Sequence, residues 1–235
     1  MFFSKKKTIE TTNFFENFVD YHCHILPGVD DGVKTMDDSL EILKRYEQLG
    51  VSEVWLTPHV MEDIPNTTEK LKERFEELTE AYLKVAETET RKPLVLHLAA
   101  EYMLDDGFEE KLKEKDLLTL GTYDQVLVET SYYNPPMRMV EILNDIKGKG
   151  YYPVLAHPER YMYMDKKDYK LLKDMGIRFQ LNLGSLSNGY GHIVTKKAKD
   201  MLKQNYYQYY GTDCHRMSMI DMILKAELPK AFNIL

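Results

Sequence analysis

The chain has 235 residues, 43% of them apolar and 29% charged, with 31 basic against 38 acidic side chains and a formal charge of −7. That composition supports one globular core, and the acidic balance excludes the basic stripe of a duplex-binding protein, so no nucleic-acid partner is expected. Two cysteines, no apolar run near the ~20 residues of a membrane span, and an opening "MFFSKKKTIETTNFF" without an apolar middle exclude a disulfide framework, membrane insertion and a signal peptide, and predict a cytoplasmic protein.

Residues 1–18 read as an arm ahead of a single domain over 19–235. The first strand is predicted at 19–25, "VDYHCHI", and the first helix at about 37–49. In that helix Leu40, Leu43, Tyr46 and Leu49 recur on one side, Thr35 and Asp38 form a capping pair, and Gly50 supplies the stop. Strands follow at 53–58 "EVWLTP", 94–101 "LVLHLAAE", 125–130 "QVLVET", 152–156 "YPVLA", 178–183 "RFQLNL" and 207–213 "YQYYGTD". Helices intervene at about 67–89, 107–115, 137–148, 166–175, 192–204 and 217–226. The tyrosines of 206–210 read as a strand buried on both faces rather than a stacking platform. Seven strand–helix units predict an α/β fold, a distorted (β/α)7 barrel of parallel strands with outer helices; an open doubly wound sheet is the alternative.

Residues able to bind metal gather at the strand ends. His22 and His24 share a face at i and i+2. His59 follows "VWLTP", Glu101 closes "LVLHLAA", Glu129 closes "QVLV", His157 follows "YPVLA", and Asp213 with His215 closes the last strand. In a parallel barrel all these ends meet at one mouth. Each residue alone has an ordinary explanation: a hydrogen-bonded loop histidine, a helix cap, or, for Asp30 and Asp31, an Asp-Asp-Gly turn. Five of the seven histidines at strand ends are hard to explain that way. His97 is expected deeper, as core, and His192 at the start of a helix, solvated. Imidazole and carboxylate donors without thiolates suit manganese, iron or zinc, and the donor count exceeds one mononuclear site. Cys23 and Cys214 alternate away from the site, toward the helices. A Cys-x5-Arg nucleophile loop is absent, because Val29 and Ile220 stand where the arginine belongs. A Gly-x4-Gly-Lys-Ser/Thr phosphate loop is also absent.

The motifs "DYHCHILPGVDDG", "LTPH", "AAEY", "VETS", "AHPERY" and "GTDCH" resemble the polymerase-and-histidinol-phosphatase superfamily. The likeness covers roughly residues 19–225. It is strongest to the bacterial manganese-dependent protein-tyrosine phosphatases encoded with capsule or exopolysaccharide synthesis. The resemblance implies three divalent ions, manganese first, with iron or zinc as alternatives. One would take His22, His24, Glu101 and Asp213, with Glu101 bridging. The second would add Glu129 and His157. The third would take Asp31, with Asp30 as the alternative, His59 and His215. It further implies Arg160 on phosphate, with Arg216 as a weaker second. Three divalent ions would carry more charge than Asp31, Glu101, Glu129 and Asp213 return, which favours a phosphate dianion. The expected reaction is single in-line hydrolysis by metal-activated hydroxide, with no phosphoenzyme. The expected substrate is phosphotyrosine on a protein, in particular a tyrosine-kinase tail. A small phosphomonoester such as histidinol phosphate is the alternative. Tyr132, Tyr133, Tyr161 and Tyr163 stand near the expected rim, as candidates for packing on the substrate ring or as rim core.

Overall fold

The computed structural model describes residues 7–121 and 124–228. Among the described residues there are nine short strands: β1 Val19–Cys23, β2 Glu53–Leu56, β3 His59–Val60, β4 Val95–Leu98, β5 Glu101–Met103, β6 Gln125–Glu129, β7 Tyr152–Ala156, β8 Arg178–Asn182 and β9 Tyr209–Gly211. Seven helices alternate with them: α1 Met36–Leu49, α2 Thr68–Thr88, α3 Asp106–Glu114, α4 Met139–Gly148, α5 Lys166–Asp174, α6 His192–Lys203 and α7 Met217–Leu224. All strand pairs are parallel, in the orders β1-β2-β4 and β3-β5-β6-β7-β8-β9.

Nine strands still make seven passes. The expected strand 53–58 divides into β2 and β3, and 94–101 divides into β4 and β5. Pro58 has no N–H to give the ladder, so pairing lapses there and resumes at His59. Ala99 N donates to Leu56 O at 2.9 Å and Glu101 N to Pro58 O at 3.1 Å, which carries the two passes across the break. The ends of the series also meet. The backbones of Cys23 and Cys214 form an isolated parallel β-bridge, Asp213 N donates to His22 O at 2.7 Å, and His24 N donates to Cys214 O at 2.9 Å. The sheet therefore curls into a distorted barrel, as the seven-unit alternation predicts.

Local chemistry explains the helix ends. Thr35, Thr67, Asp105 and Asp165 each accept a backbone N–H of the following first turn. Gly50 stops α1 at φ 89°. The main core lies between the strands and the helices and includes Ile42, Leu43, Val54, Leu56, Val126, Leu155, Phe179, Leu181 and Ile220. A smaller cluster of Ala99, Leu120, Leu127, Val154 and Ala156, flanked by Trp55 and Tyr209, fills the barrel interior.

Several local expectations are corrected. The last strand is only Tyr209–Gly211; Tyr209 and Tyr210 are half-buried and Gln208 is exposed, so this segment is not buried on both faces. The break after Leu98 takes His97 out of line with Glu101. It is half-buried, stacks on Trp55 at 4.3 Å and pairs with Glu53 at 2.9 Å, so it is not core. His192 is exposed at the start of α6. The conformation of the arm, left open by the sequence, is defined from residue 7 onward. Ile9, Phe15 and Phe18 are buried in the main core, and Ile9 N donates to Ala226 O at 3.0 Å. Burying such side chains contributes about 2 kcal/mol each. Residues 1–6 of the arm and 229–235 of the domain lie outside the described residues.

Candidate metal centre

The nine predicted donors come together at the C-terminal mouth of the barrel. Four overlapping sets have their donor atoms within 4.8 Å of one another: His24, Asp31, His59 and His215; His22, Glu101 and His157; His22, His24 and Asp213; and His59, Glu101 and Glu129. Glu101 joins them. Its Oε2 lies 3.1 Å from His22 Nε2, 3.3 Å from His24 Nε2 and 3.2 Å from His59 Nδ1, and its Oε1 lies 3.0 Å from His157 Nε2. The arrangement is more intermeshed than three separate ligand sets. His59, expected beside Asp31 and His215, also faces Glu129 Oε1 at 3.1 Å, and His24 belongs to two sets.

Backbone geometry aims two of these residues. His157 sits at φ 32° and Asp213 at φ 52°, in the left-handed region that costs a non-glycine residue energy. Both are almost fully buried. Such conformations persist where surrounding structure holds them, and here they turn the side chains inward from the strand ends.

A surrounding layer selects the tautomers. His22 Nδ1 donates to Gln180 Oε1 at 3.0 Å, His24 Nδ1 to Asp30 Oδ2 at 2.9 Å, and His215 Nδ1 to the Asp213 carbonyl at 2.9 Å. Each bond leaves Nε2 facing the cluster, where its lone pair is available to a cation that displaces a proton. Asp30 and Asp31 therefore occupy different positions. Asp30 is buried and also accepts from Gly32 N and His59 N. Asp31 is exposed, with Oδ1 3.5 Å from His59 Nε2 and 3.4 Å from His215 Nε2. Gly32 is required by close approach: a Cβ there would lie 2.1 Å from His24 O.

The electrostatics fit a place for cations. Burial alone would push the His22 imidazole down, but Glu101 and Asp213 outweigh it and raise its pKa to about 9. His24 is raised by its bonds to Asp213, Asp30 and Glu101 despite burial. Burial opposes ionisation of Glu101 and Asp213, yet the surrounding imidazoles hold both below the usual carboxylate range. The His215 bond does the same for Asp31. The carboxylates thus demand positive charge, and protons on imidazole supply it where cations do not. Buried His157 Nδ1 has no hydrogen-bond partner, whereas His59 Nδ1 lies 3.2 Å from Glu101 Oε2 and 3.1 Å from Glu129 Oε1 without a well-aligned hydrogen bond. Imidazole nitrogens packed against shared carboxylate oxygens match an oxygen–nitrogen metal site.

Arg160 reaches the rim. Its Nη1 donates to Asp213 Oδ2 at 2.7 Å, and its side chain is 17% exposed. Its neighbour Glu159 is wholly buried and accepts from Asn182 N, Ser185 Oγ and Tyr207 Oη, which ties the 3-10 turn Pro158–Arg160 to β8 and the chain after it. Arg216 caps α7 from an exposed position, and its Nε donates to Ser218 Oγ at 3.2 Å. Tyr132 packs at Arg160, Tyr161 is buried, Tyr163 is half-buried and Tyr133 is exposed. Both cysteines are buried free thiols. Gln180 and Asn182 were missed from the sequence. Their signal was available: two amides at i and i+2 in the apolar strand "RFQLNL", the same spacing as His22 and His24.

A parallel α/β barrel with a clustered imidazole–carboxylate site at its mouth defines a metallohydrolase class of architecture. Residues 18–223 match the family described as "Capsular polysaccharide synthesis, CpsB/CapC", and the chain belongs to that family. It is 26% identical over 204 residues to the tyrosine-protein phosphatase YwqE of Bacillus subtilis, covering 85% of this chain and 78% of that one. It is 28% identical over 207 residues to the tyrosine-protein phosphatase CpsB of Streptococcus pneumoniae, covering 85% and 83%. A solved structure from work on YwqE and CpsB, described as unique metal-dependent tyrosine phosphatases, superposes with a TM-score of 0.77 at 26% identity, covering 86% of this chain and 81% of that one.

Proposed function

We propose that this chain is a metal-dependent protein-tyrosine phosphatase of capsular polysaccharide synthesis. The observation that carries the reading is the donor cluster: four overlapping sets of histidines and carboxylates converge from separate strand ends, on a chain of the CpsB/CapC family. His22, His24, Glu101 and Asp213 would hold one ion. Glu101, Glu129 and His157 would hold a second, and Asp31, His59 and His215 a third, with manganese the first choice and iron or zinc the alternatives. When bound, the ions would lower the pKa of water toward ~7 and offset phosphoryl charge.

The chain's own residues supply the rest. Gln180 and Asp30 fix imidazole orientation. Arg160 offers N–H donors beyond the one bonded to Asp213, placed for the equatorial oxygens of a phosphate. A tyrosine leaving group needs little protonation, since a phenol has a pKa of about 10. Cys23 and Cys214 are buried thiols raised by burial and are unsuited to nucleophilic attack. The protein substrate is a phosphotyrosine segment, with a cytoplasmic tyrosine kinase of the same synthesis system as the partner. No helix among the described residues is long and apolar enough to cross a membrane.

The test is elemental analysis of purified protein, with hydrolysis of a phosphotyrosine peptide and of histidinol phosphate measured before and after chelation. Loss on chelation, recovery with manganese and preference for the peptide are expected. Full activity in the chelated, metal-free protein would refute the reading.

A further inference from the structure

Arg160 is gripped in a way that its charge alone does not require. Its guanidinium carbon lies 4.4 Å from the ring centre of Tyr132 and 4.4 Å from the ring centre of Tyr190. The two tyrosines come from different parts of the chain. Tyr132 follows β6, and its carbonyl accepts from Met162 N at 2.7 Å, which fastens its loop to the segment carrying Arg160. Tyr190 lies between the 3-10 turn Leu183–Ser187 and α6. Its hydroxyl accepts from Asn182 Nδ2 at 3.4 Å, and the same Nδ2 donates to Asp213 Oδ2 at 2.7 Å. That oxygen is also the one Arg160 donates to. Arg160, Asp213, Asn182 and Tyr190 thus close a circuit, and Tyr132 packs on it. Gly184 leaves the space: a Cβ there would lie 2.9 Å from Tyr190 Cε2.

An arginine at this rim has a physical problem. Glu101, Glu129 and Asp213 crowd the mouth, and a free guanidinium would spend several N–H groups on them. An aromatic face attracts the cation without consuming any N–H. We propose that Tyr132 and Tyr190 are positioning residues that hold the Arg160 guanidinium at the rim so that its remaining N–H groups face an incoming phosphoryl dianion. The inference rests on the phosphatase reading above and deepens it by naming what orients the phosphate contact.

The experiment compares ring-retaining with ring-removing variants in the metal-loaded protein. Tyr132→Phe, Tyr190→Phe, Tyr132→Leu, Tyr190→Leu and Arg160→Met are prepared, with metal content measured for each. Inorganic phosphate affinity is read by calorimetric titration, and KM and kcat with a phosphotyrosine peptide. Each leucine variant should weaken phosphate binding and raise KM by about 3- to 30-fold. The phenylalanine variants should rescue most of that loss, and metal content should hold. In an Arg160→Met background, Tyr190→Leu should add nothing, which separates lost positioning from a damaged fold. Leucine variants with wild-type phosphate affinity would overturn the inference. So would phenylalanine variants as weak as leucine, or an undiminished Tyr190→Leu effect without Arg160. If Arg160→Met weakens phosphate binding while the leucine variants do not, only the clamp is lost. If Arg160→Met itself binds phosphate normally, the role of Arg160 in the phosphatase reading fails too.

Discussion

The two ends of the barrel use similar side chains to opposite effect. At the floor, His97 pairs with Glu53 and stacks on Trp55, Arg178 donates to the Tyr209 hydroxyl at 3.1 Å, and Tyr209 in turn bonds Gln125. Each polar group there has a local partner, and the groups satisfy each other. At the mouth, five histidines and four carboxylates interpenetrate, the His157 Nδ1 lacks a partner, and two residues adopt left-handed backbone. The floor is complete as it stands and reads as structure. The mouth has more donor atoms than the protein can pair, which is the mark of a site built for something else.

Substitutions at the two ends should therefore differ sharply. Asp213→Asn should lower phosphotyrosine hydrolysis by about three orders of magnitude, because it removes one charge from a shared donor set. Steady-state rates with metal analysis would check this. Gln180→Leu leaves every proposed ligand in place but frees the His22 ring. It should weaken metal affinity by about 10- to 100-fold, read by competition with a chelator.

A third contrast is in pH. In the metal-free protein the His22 pKa is raised from 6.5 to about 9. A group raised on folding gives stability that is complete below its unfolded value and vanishes as pH climbs through its folded value. Metal-free protein should therefore lose on the order of a few kcal/mol between about pH 6.5 and pH 9. Metal-loaded protein should not show this decline, since cations replace those protons. Denaturant unfolding at both pH values, with and without manganese, tests the difference. The smallest effect belongs to the floor. His97→Ala should cost about 1 kcal/mol or less and leave the rate within about twofold, because its contact with Glu53 is partly exposed.

The same contrast explains what could be read from the sequence. Strand ends carry the mouth, and a strand end is visible as a β-rich run meeting a polar residue. His59 after "VWLTP" and His157 after "YPVLA" were legible for that reason, as were the seven passes. The floor was not legible, because His97 looks equivalent to Glu101 until the strand breaks between them. Pro58 announces one such break by its missing N–H; Ala99 and Ala100 announce nothing. Asp30 and Asp31 are adjacent and chemically alike, and only the fold sends one to the His24 ring and the other toward His59 and His215. Tyr190 could not be connected to Arg160 at all, since it lies 30 positions further on, beyond a helix, a strand and a 3-10 turn, and no spacing rule joins them.

The seam between β1 and β9 has a consequence for the order of events in the cell. Donors at the end of the first strand, His22 and His24, share their cluster with Asp213 and His215, which follow the last. A ribosome delivers the earlier pair long before the later one, so the complete cluster cannot form on a nascent chain that still lacks its final strand. Filling of the sets that include Asp213 or His215 should therefore wait for the last strand of the barrel and tie it to the first.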